Sequence, residues 1–233
     1  MSLVDGLRSP HTPLRHAGVL TPVDAVRLAA VRGRAMAAAC AEAPTSMAAV
    51  VGGDEARVLE RIAELGLHAA TFNGPGQIVA AGLTERLQQL AAAPPHGSTV
   101  KPLPVAGAFH TPYMESARQA FAAAAAATDF AAPRGALLSN ADGEAVTDPE
   151  EVRRQLVEQV VRPVRWDLCL ETLARLSPGL TVSLPPARTL ANILKRRHPE
   201  LDVLLVNAAR DIGKALVRIG ESARKEEPAH AGV

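Results

Sequence analysis

Aromatic residues make up only 3% of this 233-residue chain: four Phe, one Tyr and one Trp. A surface that holds single-stranded nucleic acid needs a series of stacking rings, and this composition cannot supply one. Charge of one sign is equally scarce, with 25 Lys and Arg against 24 Asp and Glu and a net charge of +1. The two signs are interspersed along the helical segments, so no basic stripe exists to neutralise a row of phosphates, and nucleic acid is excluded as a partner. Two cysteines, Cys40 and Cys169, lie far apart with no CxxC pair and no His at metal-ligand spacing. Neither a disulfide framework nor a metal site is expected, and both thiols read as buried small apolar groups. No apolar run is long enough to cross a bilayer, and the opening MSLVDGLRSPHTPLRHAG lacks the apolar core of a signal peptide. The expectation is a cytoplasmic protein with small-molecule or protein partners and no membrane association.

The chain is 48% hydrophobic, and with so few rings its core must be built from Ala, Val and Leu. Residues 1–16 carry two X-Pro breaks and no clear period, and read as irregular. A helix is expected over 22–40, opened by Thr21 as N-cap, Pro22 at N1 and Asp24 at N3, with Val23, Val26, Leu28, Ala30 and Val31 on one broad apolar side. Between 46 and 105 the order is strand (MAAVVG), helix capped by Asp54 and stopped by Gly66, two strands (HAATFN, QIVAAG), helix capped by Thr84, and strand (TVKPLPV). This βαββαβ order with short connections is the ferredoxin-like pattern, and it reads as an insertion. After it come a helix over about 111–127, a short strand ALLSN, a turn at Asp142-Gly143 and two helices, the first opened by Asp148-Pro149. Next come strand LTVSL, helix ARTLANILKRR, strand DVLLVNA and a final helix, and this alternation predicts a mainly parallel sheet. The tail 225–233 reads as flexible.

The segment PVAGAFHTPYM, residues 104–114, carries the most chemical information. It delivers His110 from an apolar strand end to a helix start, where Thr111-Pro112 supplies an N-cap oxygen and an N1 proline, close to the positive end of the helix dipole. A general base is often placed this way, and so is a packing histidine at a strand-to-helix corner. Three further segments have the chemistry to converge on it. Arg32, before Gly33 in the first helix, has a guanidinium suited to a two-pronged pair with a carboxylate, or it is a solvated surface group like its neighbours Arg27 and Arg34. Asn73, in the tight turn FNGPGQ, offers an amide to a ligand, or the turn is a plain hairpin. In EQVVRPVRW, around Gln159, a helix ends before Pro163 and leaves carbonyls that the helix does not satisfy. A histidine Nδ1–H donating to one of them would fix the tautomer and leave Nε2 free as base without a triad carboxylate.

Taken together, PVAGAFHTPYM, VRGRAM, FNGPGQIVAAG, LSNADGEAVTD, LVEQVVRPVRW and SLPPARTL resemble, in this order and spacing, the malonyl-CoA:acyl-carrier-protein transacylases, a family whose plan the acyltransferase domains of polyketide synthases share. The resemblance runs from about Ala17 to Ile219, and GAFH at 107–110 is similar to the malonyl-type pattern. It implies that His110 is the catalytic histidine, that Arg32 pairs with the malonyl carboxylate, that the backbone around Gln159 orients the histidine, and that Asn73 lies near the pantetheine path. It implies malonyl-CoA and acyl carrier protein as partners in fatty acid or polyketide synthesis. No cofactor is implied beyond coenzyme A and the carrier's phosphopantetheine. The implied architecture is an α/β-hydrolase-like domain, incomplete here, over 17–45 and 106–224, with the ferredoxin-like subdomain over 46–105 inserted.

One departure from the family pattern bears on chemistry. The family's GHSxGE nucleophile elbow should fall near Leu7, and no GxSxG occurs there or anywhere else in the sequence. Ser9, the nearest serine, lacks both flanking glycines of such an elbow. The glutamine-containing loop that completes the family's oxyanion hole has no counterpart either, so an N-terminally truncated form of the family pattern is expected. Two alternatives stand beside an acyltransferase: a non-catalytic protein binding carrier protein or coenzyme A, and a ferredoxin-like module with a regulatory role. A triad-type nucleophile acts as a unit with its base, and its loss costs several orders of magnitude in rate. Incubation of this chain with labelled malonyl-CoA is therefore expected to leave no covalent label after denaturation, read by intact-protein mass spectrometry; retained label would mean that a nucleophile is present.

Overall fold

The computed structural model describes Leu14 and residues 17–184 and 188–226. Helix α1 (Pro22–Cys40) starts where local chemistry dictates. Thr21 is extended, its side chain accepts the Asp24 N–H, and Pro22 occupies the first turn, where a missing N–H costs nothing. The buried face is Ala25, Leu28, Met36 and Ala39. Val23 and Val26, expected on that face, are 76% and 71% exposed. The helix is apolar on most sides, so its periodicity cannot say which side a neighbour covers.

Residues 45–102 form β1 (Thr45–Gly52), α2 (Glu55–Glu64), β2 (His68–Phe72), β3 (Gln77–Leu83), α3 (Thr84–Ala92) and β4 (Ser98–Pro102). The strands lie in the order β4-β1-β3-β2, all antiparallel, with Val50 opposite both Ile78 and Val100. Val50, Ile78 and Ala80 of the sheet pack with Val58 and Ile62 of α2 and Leu87 and Leu90 of α3. Asp54 caps α2 through the Arg57 N–H, and Gly66, at φ 62°, turns the chain out of it. Thr84, expected as the cap of α3, does not cap it. Leu83 stands at the N-cap, and both the N–H and the hydroxyl of Thr84 go to the Pro44 carbonyl at 3.0 Å. A tertiary acceptor has outcompeted the local cap.

A 3₁₀ turn (Pro112–Met114) then leads into α4 (Glu115–Ala126), the hairpin β5 (Leu137–Leu138) and β6 (Ala145–Val146), and α5 (Pro149–Glu158). Helices α1, α4 and α5 share one core containing Leu28, Met114, Phe121, Leu156 and Val160. Leu14 is helical and joins that core at 4% exposure, while the rest of the irregular span 1–16 lies outside the described residues.

The final third is β7 (Val164–Arg165), α6 (Trp166–Leu176), β8 (Thr181–Ser183), α7 (Arg188–Arg197), β9 (Val203–Leu205) and α8 (Ile212–Glu226). The mainly parallel sheet expected here is not formed among the described residues. β8 and β9 pair in parallel with each other, β5 pairs antiparallel with β6, and β7 joins the free edge of β2 in parallel. Alternation of strand and helix favours parallel neighbours without specifying which edge each strand finds, and β2 offers one to the two residues of β7. Residues 185–187 of SLPPARTL, and the tail beyond Glu226, lie outside the described residues. Cys169 is buried, whereas Cys40 is only partly so, against expectation. Among the described residues no helix is long and apolar enough to cross a membrane.

The β5–β6 turn is locked to α6 by contact at a glycine. Gly143 has φ +76°, and a Cβ there would lie 2.5 Å from the Leu168 carbonyl carbon; Gly66 has φ +62° with open space around it. Gly66→Ala should cost about 1 kcal/mol of backbone strain, and Gly143→Ala about 2–4 kcal/mol, because overpacking against backbone adds to the strain. Urea unfolding midpoints of the two variants measure the difference.

Candidate active site

The chain leaves the sheet at Pro102 and reaches His110 through a tight return. There His110 adopts φ 61°, in the left-handed region that residues bearing a Cβ seldom occupy. Its neighbours hold it there. The Ala108 N–H donates to Thr45 Oγ1 at 3.1 Å, and the Thr111 hydroxyl donates to the Ala108 carbonyl at 2.6 Å. Thr111 also accepts the Tyr113 N–H at 3.3 Å, capping the 3₁₀ turn that Pro112 opens. Gly107 is packed so closely that a Cβ on it would meet Cys40 Sγ at 2.3 Å.

The side chain of His110, 5% exposed, donates from Nδ1–H to the Gln159 carbonyl at 2.7 Å. That acceptor is free for a reason written in the sequence. Gln159 ends α5, and its carbonyl would take the N–H of the residue four positions on, which is Pro163 and has none. The preceding carbonyl, on Glu158, accepts both the Val161 and the Arg162 N–H at 3.0 Å. In the neutral ring this places the proton on Nδ1 and the lone pair on Nε2, which has no hydrogen-bond partner among the described residues. Burial pushes the imidazole down to about 4; the Gln159 bond opposes this, and the nearby charge of Arg32 adds to it. The ring is neutral at pH 7.

Arg32 approaches the same glutamine from α1, with Nη2 donating to Gln159 Oε1 at a long 3.5 Å. Its Nε is buried with no partner, and no carboxylate pairs with it among the described residues. Its helix neighbour Arg27 contrasts with it, bonding Asp24 at 3.1 Å and Thr128 at 3.0 Å. Burial lowers the Arg32 guanidinium to about 10, which leaves it charged at pH 7. A half-buried cation with an orphaned N–H, next to a neutral base, is chemically prepared for an anionic ligand.

Thus His110, Arg32 and Gln159 are brought together. Asn73 is not linked to them: its N–H closes the hairpin on the Gln77 carbonyl at 2.9 Å, and no hydrogen bond connects it to the trio. Its Oδ1 is buried without a partner. Among the described residues no group of three or more His, Cys, Asp or Glu gathers to hold a metal ion. Sequence reasoning missed Thr45 and the left-handed backbone of His110. A strand-initial threonine carries no signal for the former, and no glycine marks the latter.

A neutral buried imidazole thus lies beside an unpaired guanidinium, the two held through one glutamine in a mixed α/β fold. The chain belongs to the acyl transferase domain family, whose model matches residues 13–219. It is 51% identical over 201 residues to the malonyl CoA-acyl carrier protein transacylase of Mycolicibacterium smegmatis, covering 84% of this chain and 69% of that one. To the protein of the same name from Mycobacterium tuberculosis it is 48% identical over 196 residues, and it spans 65% of that relative's length. The crystal structure of MCAT from Mycobacterium tuberculosis superposes with a TM-score of 0.85 at 46% identity, over 88% of this chain and 68% of that one.

The depressed imidazole links stability to pH. The folded ring titrates near 4 and the unfolded ring near 6.5, so between these values the unfolded chain binds the extra proton and stability falls as pH falls. From pH 7 to pH 5 this one residue should cost about 2 kcal/mol. Urea unfolding at the two pH values should show that loss in the wild type and its absence in His110→Gln.

Proposed function

We propose that this chain supplies the histidine base and the carboxylate-binding arginine for transfer of the malonyl group from malonyl-CoA to the phosphopantetheine thiol of acyl carrier protein, in fatty acid biosynthesis. The observation that carries this reading is the convergence of His110 and Arg32 on Gln159, the backbone carbonyl taking one and the side chain the other. In this reading Arg32 forms its missing ion pair with the malonyl carboxylate. Nε2 of His110 removes the proton from the attacking hydroxyl as oxygen bonds to the thioester carbonyl carbon. The imidazolium returns that proton to the departing coenzyme A sulfur. In the second half the same nitrogen deprotonates the carrier's thiol and returns the proton to the hydroxyl. Burial is the main cause of the depressed imidazole, and pairing of the malonyl carboxylate with Arg32 offsets the smaller contribution of the guanidinium charge. No nucleophile is assigned to this chain.

The finer architecture belongs to the same reading. We take residues 46–105 as a ferredoxin-like subdomain, supported by the antiparallel order β4-β1-β3-β2, set within an α/β-hydrolase-like domain to which 17–45 and 106–224 belong. The place of action is the cytoplasm, and no cofactor is needed beyond coenzyme A and phosphopantetheine. Asn73, with its unpartnered Oδ1, is kept as a candidate contact to the pantetheine arm. A second reading, a protein that binds coenzyme A or carrier protein without turnover, is favoured by the unpaired Arg32 guanidinium, which suits it to hold an anionic ligand whether or not transfer follows.

Calorimetry with malonyl-CoA and acetyl-CoA tests the clamp. A charge-assisted carboxylate contact corresponds to about 10- to 100-fold in affinity. Arg32→Ala should weaken malonyl-CoA binding by about that factor and leave acetyl-CoA binding nearly unchanged, whereas equal losses would remove Arg32 from the role.

A further inference from the structure

The strand ladder between β1 and β4 ends at Ala48 opposite Pro102, with one more backbone bond from the Leu103 N–H to the Met47 carbonyl at 2.9 Å. Pro104 then interrupts the donors. Beyond it, side chains hold the segment from Val105 to Ala108. Ser46 Oγ donates to the Val105 carbonyl at 2.9 Å, and Thr45 Oγ1 accepts the Ala108 N–H at 3.1 Å. Two consecutive hydroxyls at the start of β1 thus continue the ladder after the backbone has peeled away. The bond at Ala108 is fully enclosed: Ala108 is 0% and Thr45 7% exposed, so no water can replace Thr45 as acceptor. On its other side Ala108 takes the Thr111 hydroxyl at 2.6 Å. His110 therefore sits inside a four-residue loop whose first member is gripped at both its N–H and its carbonyl, and within that loop its backbone is held at φ 61°.

We propose that Thr45 is a positioning residue for His110: through the Ala108 N–H it holds the left-handed turn that aims Nδ1 at the Gln159 carbonyl, and so fixes which ring nitrogen is free. The inference rests on reading His110 as the base, and it deepens that reading by making the first residue of β1 a part of the base's geometry. Without the acceptor, the Ala108 N–H is left buried and unpaired, the loop relaxes towards ordinary φ values, and the imidazole is turned away from the Gln159 carbonyl. Arg32 is the charged group that acts on the ring from α1, and Gln159 the polar group from the end of α5.

The test is nitrogen-15 NMR of the His110 ring in the full chain, which requires no acyl transfer. The wild type should show the Nδ1–H tautomer with a slowly exchanging Nδ1 proton and a protected Ala108 amide. Thr45→Val, nearly isosteric but without an acceptor, should populate the Nε2–H tautomer and speed exchange of the Nδ1 proton about tenfold, the equivalent of one lost buried hydrogen bond. Thr45→Ser should restore the wild-type pattern, and Trp166 fluorescence should report an intact fold in both variants. An unchanged tautomer and exchange rate in Thr45→Val would overturn the proposal. If Thr45→Val does not fold, the wild type still decides, because free exchange at the Ala108 amide would overturn the proposal and protection there would support it. Release of the ring in a chain that binds neither malonyl-CoA nor acetyl-CoA would uphold the positioning role while sinking the transferase reading; malonyl selectivity through Arg32 with an unmoved ring would do the reverse.

Discussion

The 2.7 Å hydrogen bond from His110 Nδ1–H to the Gln159 carbonyl is the contact on which the rest of the site depends. It selects the tautomer, turns Nε2 outward from its anchor, and ties the loop after β4 to the end of α5. It also opposes burial, which drives the imidazole towards neutrality. The bond exists because a proline four residues on leaves a helix-terminal carbonyl unclaimed, and because the opposite loop is held in a backbone conformation that points the ring at it. Neither condition suffices alone.

Gln159 serves the site twice. Its carbonyl anchors the histidine, and its side-chain oxygen makes a long contact to Arg32, whose Nε remains unpaired. A neutral base and a cation are thereby kept close. A carboxylate in place of the Gln159 amide would pair with Arg32 outright and occupy it, whereas the neutral amide holds the guanidinium loosely and leaves its charge for a ligand. The core shared by α1, α4 and α5 makes this geometry rigid, since Arg32 rides on α1 and Gln159 ends α5.

Much of this was legible in the sequence. Thr21-Pro22, Asp54 with Gly66, and Asp148-Pro149 marked helix ends because capping is local chemistry within four residues. The βαββαβ order of 46–105 was legible for the same reason, from periodicities of two and 3.6 broken by turn residues. Pro163 announced a free carbonyl, and the order of six motifs pointed to the family. Other features were not legible. Thr84 turned to Pro44 instead of capping its helix, and Val23 and Val26 faced outward, because each outcome depends on which neighbour arrives from elsewhere in the chain.

The sequence alone determined the order of the elements, the caps at Thr21, Asp54 and Asp148, and the residue types available for chemistry; the elements and those caps arise from interactions between residues close along the chain. The tertiary structure decided which of the candidates meet. It joined His110, Arg32 and Gln159 across 127 positions of sequence separation, left Asn73 in its own hairpin, and brought Thr45, at the start of β1, to the back of the histidine loop. Strand edges and helix faces accept more than one partner, and only the packing of the whole chain selects among them.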